Sequence, residues 1–85
     1  MAFKKYMNEL NKIFIQIFKD ETLNISNETN SSDIPNWDSL NNMHLIVAIE
    51  DHYDIRFELE EIQSLKNVGE LYSCIKKYLD KKLKN

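Results

Sequence analysis

Residues 36–55 read NWDSLNNMHLIVAIEDHYDI, and this stretch decides the fold. From about Asp38 to Tyr53 it reads as one helix. Asp38 is a natural N-cap, its carboxylate placed to accept backbone N–H bonds from the first turn. The helix is richer in apolar residues than one core stripe requires. Leu45, Ile46, Ala48, Ile49 and Tyr53 form one face; Leu40, Met43 and Val47, at spacing i, i+3, i+7, form a second. An extra apolar strip beside acids suggests a docking surface, unless neighbouring helices bury both strips. The same stretch poses a chemical question. Ser39 stands at the doorway of the most apolar helix in the chain, directly after an aspartate. Capping alone explains such a pair, and so does a hydroxyl placed there to be modified.

Working outward, the segment before this helix is polar, and the segment before that is strongly periodic. Phe3, Tyr6, Met7, Leu10, Ile13, Phe14, Ile17 and Phe18 follow the i, i+3, i+4, i+7 template, with Lys4, Lys5, Asn8, Glu9, Asn11 and Lys12 on the other face. Residues 20–37 form a long connection rich in Asn and Ser. Leu23, Ile25, Ile34 and Trp37 are its apolar anchors, and Pro35 discourages helix at Ile34. Connections this long in a small domain are uncommon and often functional. Towards the C-terminus a short helical turn is expected near Leu59 to Ser64, with Ile62 and Leu65 inward. A last helix starts at Asn67, where Glu70 stands three residues on, a variant of the capping box. Its stripe is Val68, Leu71, Tyr72, Ile75, Tyr78, Leu79 and Leu83, and Lys76 to Lys84 complement the negative end of its dipole.

The expected fold is therefore all-α: a bundle of three main helices plus one short helix, with a long loop between helices one and two. One Gly and one Pro in 85 residues agree with it. The length suits a single domain spanning residues 1–85, with a modest core. Charged residues at 29% and apolar residues at 42% are a globular balance.

Charge is unevenly spread within a formal net of −3. Residues 38–70 carry Asp38, Glu50, Asp51, Asp54, Glu58, Glu60, Glu61 and Glu70 against only Arg56 and Lys66. Residues 71–85 carry five Lys against Asp80. The acidic middle argues against nucleic acid and suits a basic protein partner, although acids also simply solvate exposed helix faces. A single Cys74 rules out an internal disulfide and a cysteine-built zinc site. The apolar positions of residues 1–18 are spaced rather than contiguous, so neither a signal peptide nor a membrane span is expected. The chain is expected to be cytoplasmic, and the sequons at Asn24, Asn27 and Asn30 to be chance in an Asn-rich loop.

For catalysis the residues offer little. Ser39 and His44 are five apart, about 140° around the helix at 3.6 residues per turn, so they do not form a nucleophile–base pair. No Gly-rich phosphate loop exists, and His44 and His52 have no acid at convincing metal-ligand spacing. No catalytic residue and no metal site are assigned. What remains is a hydroxyl at a helix N-terminus, where free N–H groups and the helix dipole favour a phosphate.

"DSL" at Asp38–Leu40, "LIVAIEDHYDI" at Leu45–Ile55 and "EEI…LKNVGELYSCIKKYL" ending at Leu79, in that order, resemble the acyl carrier proteins, and the likeness covers most of the chain. The resemblance implies a carrier rather than an enzyme. Ser39 matches the serine to which a phosphopantetheinyl transferase joins 4′-phosphopantetheine from coenzyme A. The arm's thiol holds acyl groups as thioesters. Asp38 matches the aspartate that helps the transferase place its magnesium. Leu40, Met43, Val47, Glu50 and Asp51 fall on the family's partner-recognition helix, which meets basic docking patches on the transferase and on the acyl-loading and acyl-processing enzymes. The core strip of that helix, with the first and last helices, is expected to line a cleft for acyl chains. A monomer is expected.

Trp37 before the aspartate, and Asn41, Asn42 and His44 after the serine, depart from bulk fatty-acid carriers. They suggest a carrier dedicated to one biosynthetic pathway. A peptidyl or aminoacyl carrier shares the attachment chemistry, and an unmodified helical adaptor docking through Leu40, Met43 and Val47 is the rival from another class.

Overall fold

The computed structural model describes residues 2–84, with side chains described for residues 4–82. Four helices follow in chain order: α1 (Ala2–Phe18), α2 (Ser39–Tyr53), α3 (Leu59–Ser64) and α4 (Val68–Lys84). Three are long and one is short, with a long loop between α1 and α2, as the periodicity predicts. Phe3 and Leu83, members of the predicted stripes, lie outside the residues whose side chains are described.

The core forms where the three long helices turn their apolar stripes together. Leu10, Ile13 and Phe14 of α1, Leu45, Ile46 and Ile49 of α2, and Val68, Leu71 and Ile75 of α4 are buried, joined by Ile34 and Ile55 from the connections. Leu40, Met43 and Val47 remain exposed, so only one of the two apolar strips of α2 is spent on folding.

The ends of α2 are closed by different devices. Asp38 is extended, and its side chain accepts from the Asn41 N–H at 2.9 Å. At the other end Asp54 takes the left-handed conformation (φ 55°), and its N–H bonds Glu50 O. The Lys82 ammonium of α4 then donates to Asp54 O at 2.7 Å and to its carboxylate at 3.1 Å, as expected for a cation at a helix C-terminus. The Tyr53 hydroxyl donates to Glu9 Oε1 at 2.9 Å, tying this end to α1.

The loop between α1 and α2 is bound to the bundle at three places. Ile34 is buried, with Leu23, Ile25 and Trp37 packed against the core. Asn11, expected on the polar face of the first helix, is half-buried instead: its amide donates to Leu23 O at 3.1 Å and accepts from Ile25 N–H at 2.8 Å. The third attachment caps α4. The Val68 and Gly69 N–H groups bond the carbonyls of Thr29 and Asn27 at 2.8 and 2.9 Å. A Cβ on Gly69 would stand 3.0 Å from Asn27 O, which is why the chain's only glycine is here. The capping box expected at Asn67 forms in half. Asn67 Oδ1 accepts from Glu70 N–H, but the Glu70 carboxylate turns to Lys66 N–H.

Candidate functional site

Ser39 is the first residue of α2, and it is exposed. Its position is set by the turn Asn36–Asp38 before it. Asn36 holds a left-handed φ of 72°, which asparagine tolerates better than most residues. Asn41 Nδ2 reaches back from the helix to Asn36 O at 2.7 Å. Asn42 Oδ1 accepts from the indole N–H of Trp37 at 2.9 Å. The Trp37 ring meets Phe14 edge-on, centroids 5.3 Å apart, and Phe18 at 6.0 Å. Two asparagines of the first helical turn therefore brace the chain just before Ser39. From the sequence these asparagines register only as missing acids; their partners lie across a turn whose geometry the sequence does not display.

The chemistry available to Ser39 follows from that setting. The Ser39 and Leu40 N–H groups begin the helix and have no intrahelical acceptor. With the helix dipole they favour negative charge on a group attached at Ser39. Asp38 uses Oδ1 to cap, and its Oδ2 takes no hydrogen bond among the described residues. His44 is exposed and is not hydrogen-bonded to Ser39. Among the described residues no group of three His, Cys, Asp or Glu is arranged to hold a metal ion.

Beside Ser39 lies a cleft of about 480 Å³, within the size range of small-molecule sites. One wall is α2, through Ser39, Asn42, Met43 and Ile46; the other is α3, through Leu59, Ile62 and Gln63. Leu65, Lys66, Asn67 and Leu71 close its far side, and Ser31, Trp37 and Asp38 its near side. α1 contributes no lining residue, contrary to the expectation that the first helix would share the cleft. The Trp37 ring, lodged against Phe14 and Phe18, stands between.

The predicted partner residues divide. Leu40, Met43 and Val47 are 67%, 45% and 50% exposed, a continuous apolar ridge leading away from Ser39. Asp51 is exposed on the same helix. Glu50 is half-buried, and its carboxylate accepts from Phe57 N–H at 2.9 Å, holding the α2–α3 link. Leu59 of α3, 63% exposed, extends the apolar ridge across the cleft and was not foreseen as part of it.

The wall formed by α3 is held by charge. Glu61 accepts from the Lys77 ammonium at 2.5 Å, from the Tyr78 hydroxyl and from its own helix start at Glu58 N–H. The Lys77 and Tyr78 bonds hold its carboxyl down at about 2. The same carboxylate raises Tyr78. Burial, and then the nearby Glu61 charge, raise the Cys74 thiol, leaving it an inert residue at neutral pH.

Comparison with known proteins agrees with this geometry. Residues 8–75 match the family described as "Phosphopantetheine attachment site". Among solved structures, the chain is similar to the holo acyl carrier protein of Geobacter metallireducens, determined by NMR in solution. The two are 46% identical, the match covers 93% of this chain and 91% of that one, and the TM-score is 0.87. Among curated proteins, none matches.

Proposed function

The chain belongs to the acyl carrier protein family, and from that premise we propose that Ser39 is the residue that bears the arm. Family membership makes it a carrier of covalent 4′-phosphopantetheine rather than a catalyst. The arm's thiol supplies the chemistry, holding acyl groups as thioesters. Phosphopantetheinyl transferase and acyl-processing enzymes are its partners.

One observation carries the assignment of Ser39. It is an exposed hydroxyl at the N-terminus of a long helix, beside a cleft, on a turn held by Asn41 and Asn42. The residues fit the group. The helix N-terminus would stabilise a phosphodiester carried on Ser39, and the cleft lies beside that hydroxyl. Asp38 caps with one carboxylate oxygen and keeps the other for the transferase's magnesium. Leu40, Met43 and Val47, with Asp51 and the acids flanking Leu59, form the surface that basic patches on partner enzymes meet. Glu50 serves that surface indirectly, by fixing the link that follows α2. The carrier acts as a single domain and as a monomer, in the cytoplasm, in a pathway of its own rather than in bulk fatty-acid synthesis. The asparagine-braced Trp37 and the weakly acidic start of α2 support the dedicated role.

The test is intact mass after incubation with coenzyme A, magnesium and a broad-specificity transferase. One phosphopantetheine is expected on the wild type and none on Ser39→Ala, with the helical spectrum unchanged. Addition that persists in Ser39→Ala moves the site elsewhere. No addition by several active transferases returns the chain to the adaptor reading. Rescue of a strain lacking its fatty-acid carrier would refute the dedicated role alone.

A further inference from the structure

We propose that Trp37 fixes how long a chain the cleft beside Ser39 can shelter, making it a specificity-determining residue of this carrier. The inference rests on Ser39 as the attachment site and adds a limit on the cargo.

Four observations carry it. First, Trp37 is the one aromatic residue among those lining the cleft. Second, its orientation is pinned: the indole N–H bonds Asn42 Oδ1 at 2.9 Å, and Asn42 is itself a lining residue. Third, the ring rests on Phe14 and Phe18 of α1, so the indole separates the cleft from the aromatic pair behind it. Fourth, the residues at the floor belong to the core: Ile46 and Leu71 line the cleft and are 1% and 2% exposed. On the side of α1, a chain growing from the arm meets a plane held in place.

The consequence is a ceiling. Each methylene that moves from water into the cleft gains about 0.8 kcal/mol, about fourfold in the sheltered-to-exposed ratio. That gain stops when the chain reaches the indole, and further methylenes return to solvent. Removing the indole joins the cleft to the space against Phe14 and Phe18 and moves the ceiling to longer chains.

The experiment loads the holo chain with saturated acyl groups of increasing length and confirms each by mass. Thioester cleavage by hydroxylamine reports shelter, and the single tryptophan's emission reports contact. In the wild type, cleavage is expected to slow about fourfold per methylene and then level off at a short chain length, with the emission shift levelling at the same length. In Trp37→Ala the levelling moves to longer chains, and in Trp37→Phe it lies between. Asn42→Ala, which frees the ring without removing it, blurs the levelling. If Trp37→Ala does not fold, the other two variants and the wild-type emission decide. The inference is overturned by an unmoved levelling point in a folded variant, or by wild-type emission that ignores loading. Absence of the arm on Ser39 is a separate failure, visible in the mass before any acyl group is tested, and the inference falls with it.

Discussion

The two walls of the cleft are held to the molecule in different measure. α2 buries Leu45, Ile46 and Ile49 to 1% exposure or less. α3 has no fully buried residue: Ile62 packs partly buried against the core, and a carboxylate on Glu61 anchors the helix to Lys77 and Tyr78 of α4. The first wall is part of the core and moves only if the fold does. The second is a short helix on a polar latch, and its local stability is a small fraction of the whole. The difference teaches where this molecule is rigid. Ser39 stands on the wall that cannot shift, and the opposing wall can loosen without loss of the fold.

The largest effect should come from the rigid wall. Ile49→Ala removes a fully buried side chain at the centre of three helices and is expected to cost about 2–5 kcal/mol. Since small domains have little stability to spare, the variant should be largely unfolded near 37 °C by circular dichroism. A loss under about 1 kcal/mol in urea unfolding would place α2 outside the cooperative core.

The latch should respond more gently and in a different place. Glu61→Gln keeps the shape but loses the charge that pairs with Lys77, whose side chain is 56% exposed. A cost of about 1 kcal/mol is expected, because solvent screens so exposed a partner. Amide exchange should accelerate in residues 59–64 and leave Leu45 to Ile49 unaffected. Uniform acceleration in both walls would erase the distinction between them.

Acid sharpens the same contrast. The folded Glu61 carboxyl lies at about 2 against an ordinary 4.5. Its stabilisation is thus complete above about 4.5 and is lost as pH falls towards 2. The stability gap between wild type and Glu61→Gln should be constant from neutral pH to about 5 and shrink below it. A gap that persists unchanged at pH 3 would show that the ionisation of Glu61 is not what holds α3.

How much of this was legible beforehand depends on whether the signal was periodic. The stripes Leu10–Ile13–Phe14 and Val68–Leu71–Ile75 repeat at helical spacing, so three helices and most of the core could be read from residue order. Asp38 as the cap and Ser39 as the exposed first residue of α2 were legible because capping is a local property of a helix start. Asn11, Asn41 and Asn42 were not. Each amide satisfies backbone or indole groups across a turn, and nothing in an Asn-rich sequence distinguishes such residues from solvated ones. The Glu61 latch was hidden for the same reason: Lys77 is 16 residues away and becomes a neighbour only after α3 folds back on α4. The cleft was misassigned to α1 because periodicity shows which face a helix buries, not which residue intervenes. Trp37 was visible as an anchor, while its place between α1 and the cleft is a tertiary fact.

The smallest effect on stability belongs to the exposed strip of α2, and there the comparison turns from folding to function. Met43 and Val47 share a helix with Leu45 and Ile49 and are equally apolar, yet they face solvent. Met43→Ser with Val47→Ser should change stability by no more than about 0.5 kcal/mol per site, as surface positions do. If the strip is where partners dock, the same pair should raise the transferase's KM for the carrier about tenfold, the loss of a modest apolar hot spot. Its kcat should stay close to that of the wild type, because Ser39 and its turn are untouched. Adding salt should weaken docking in both forms through the acids around the ridge. An unchanged KM in a folded variant would mean that the exposed residues of α2 are not read by the transferase, and Leu59 on the movable wall would be the next position to alter.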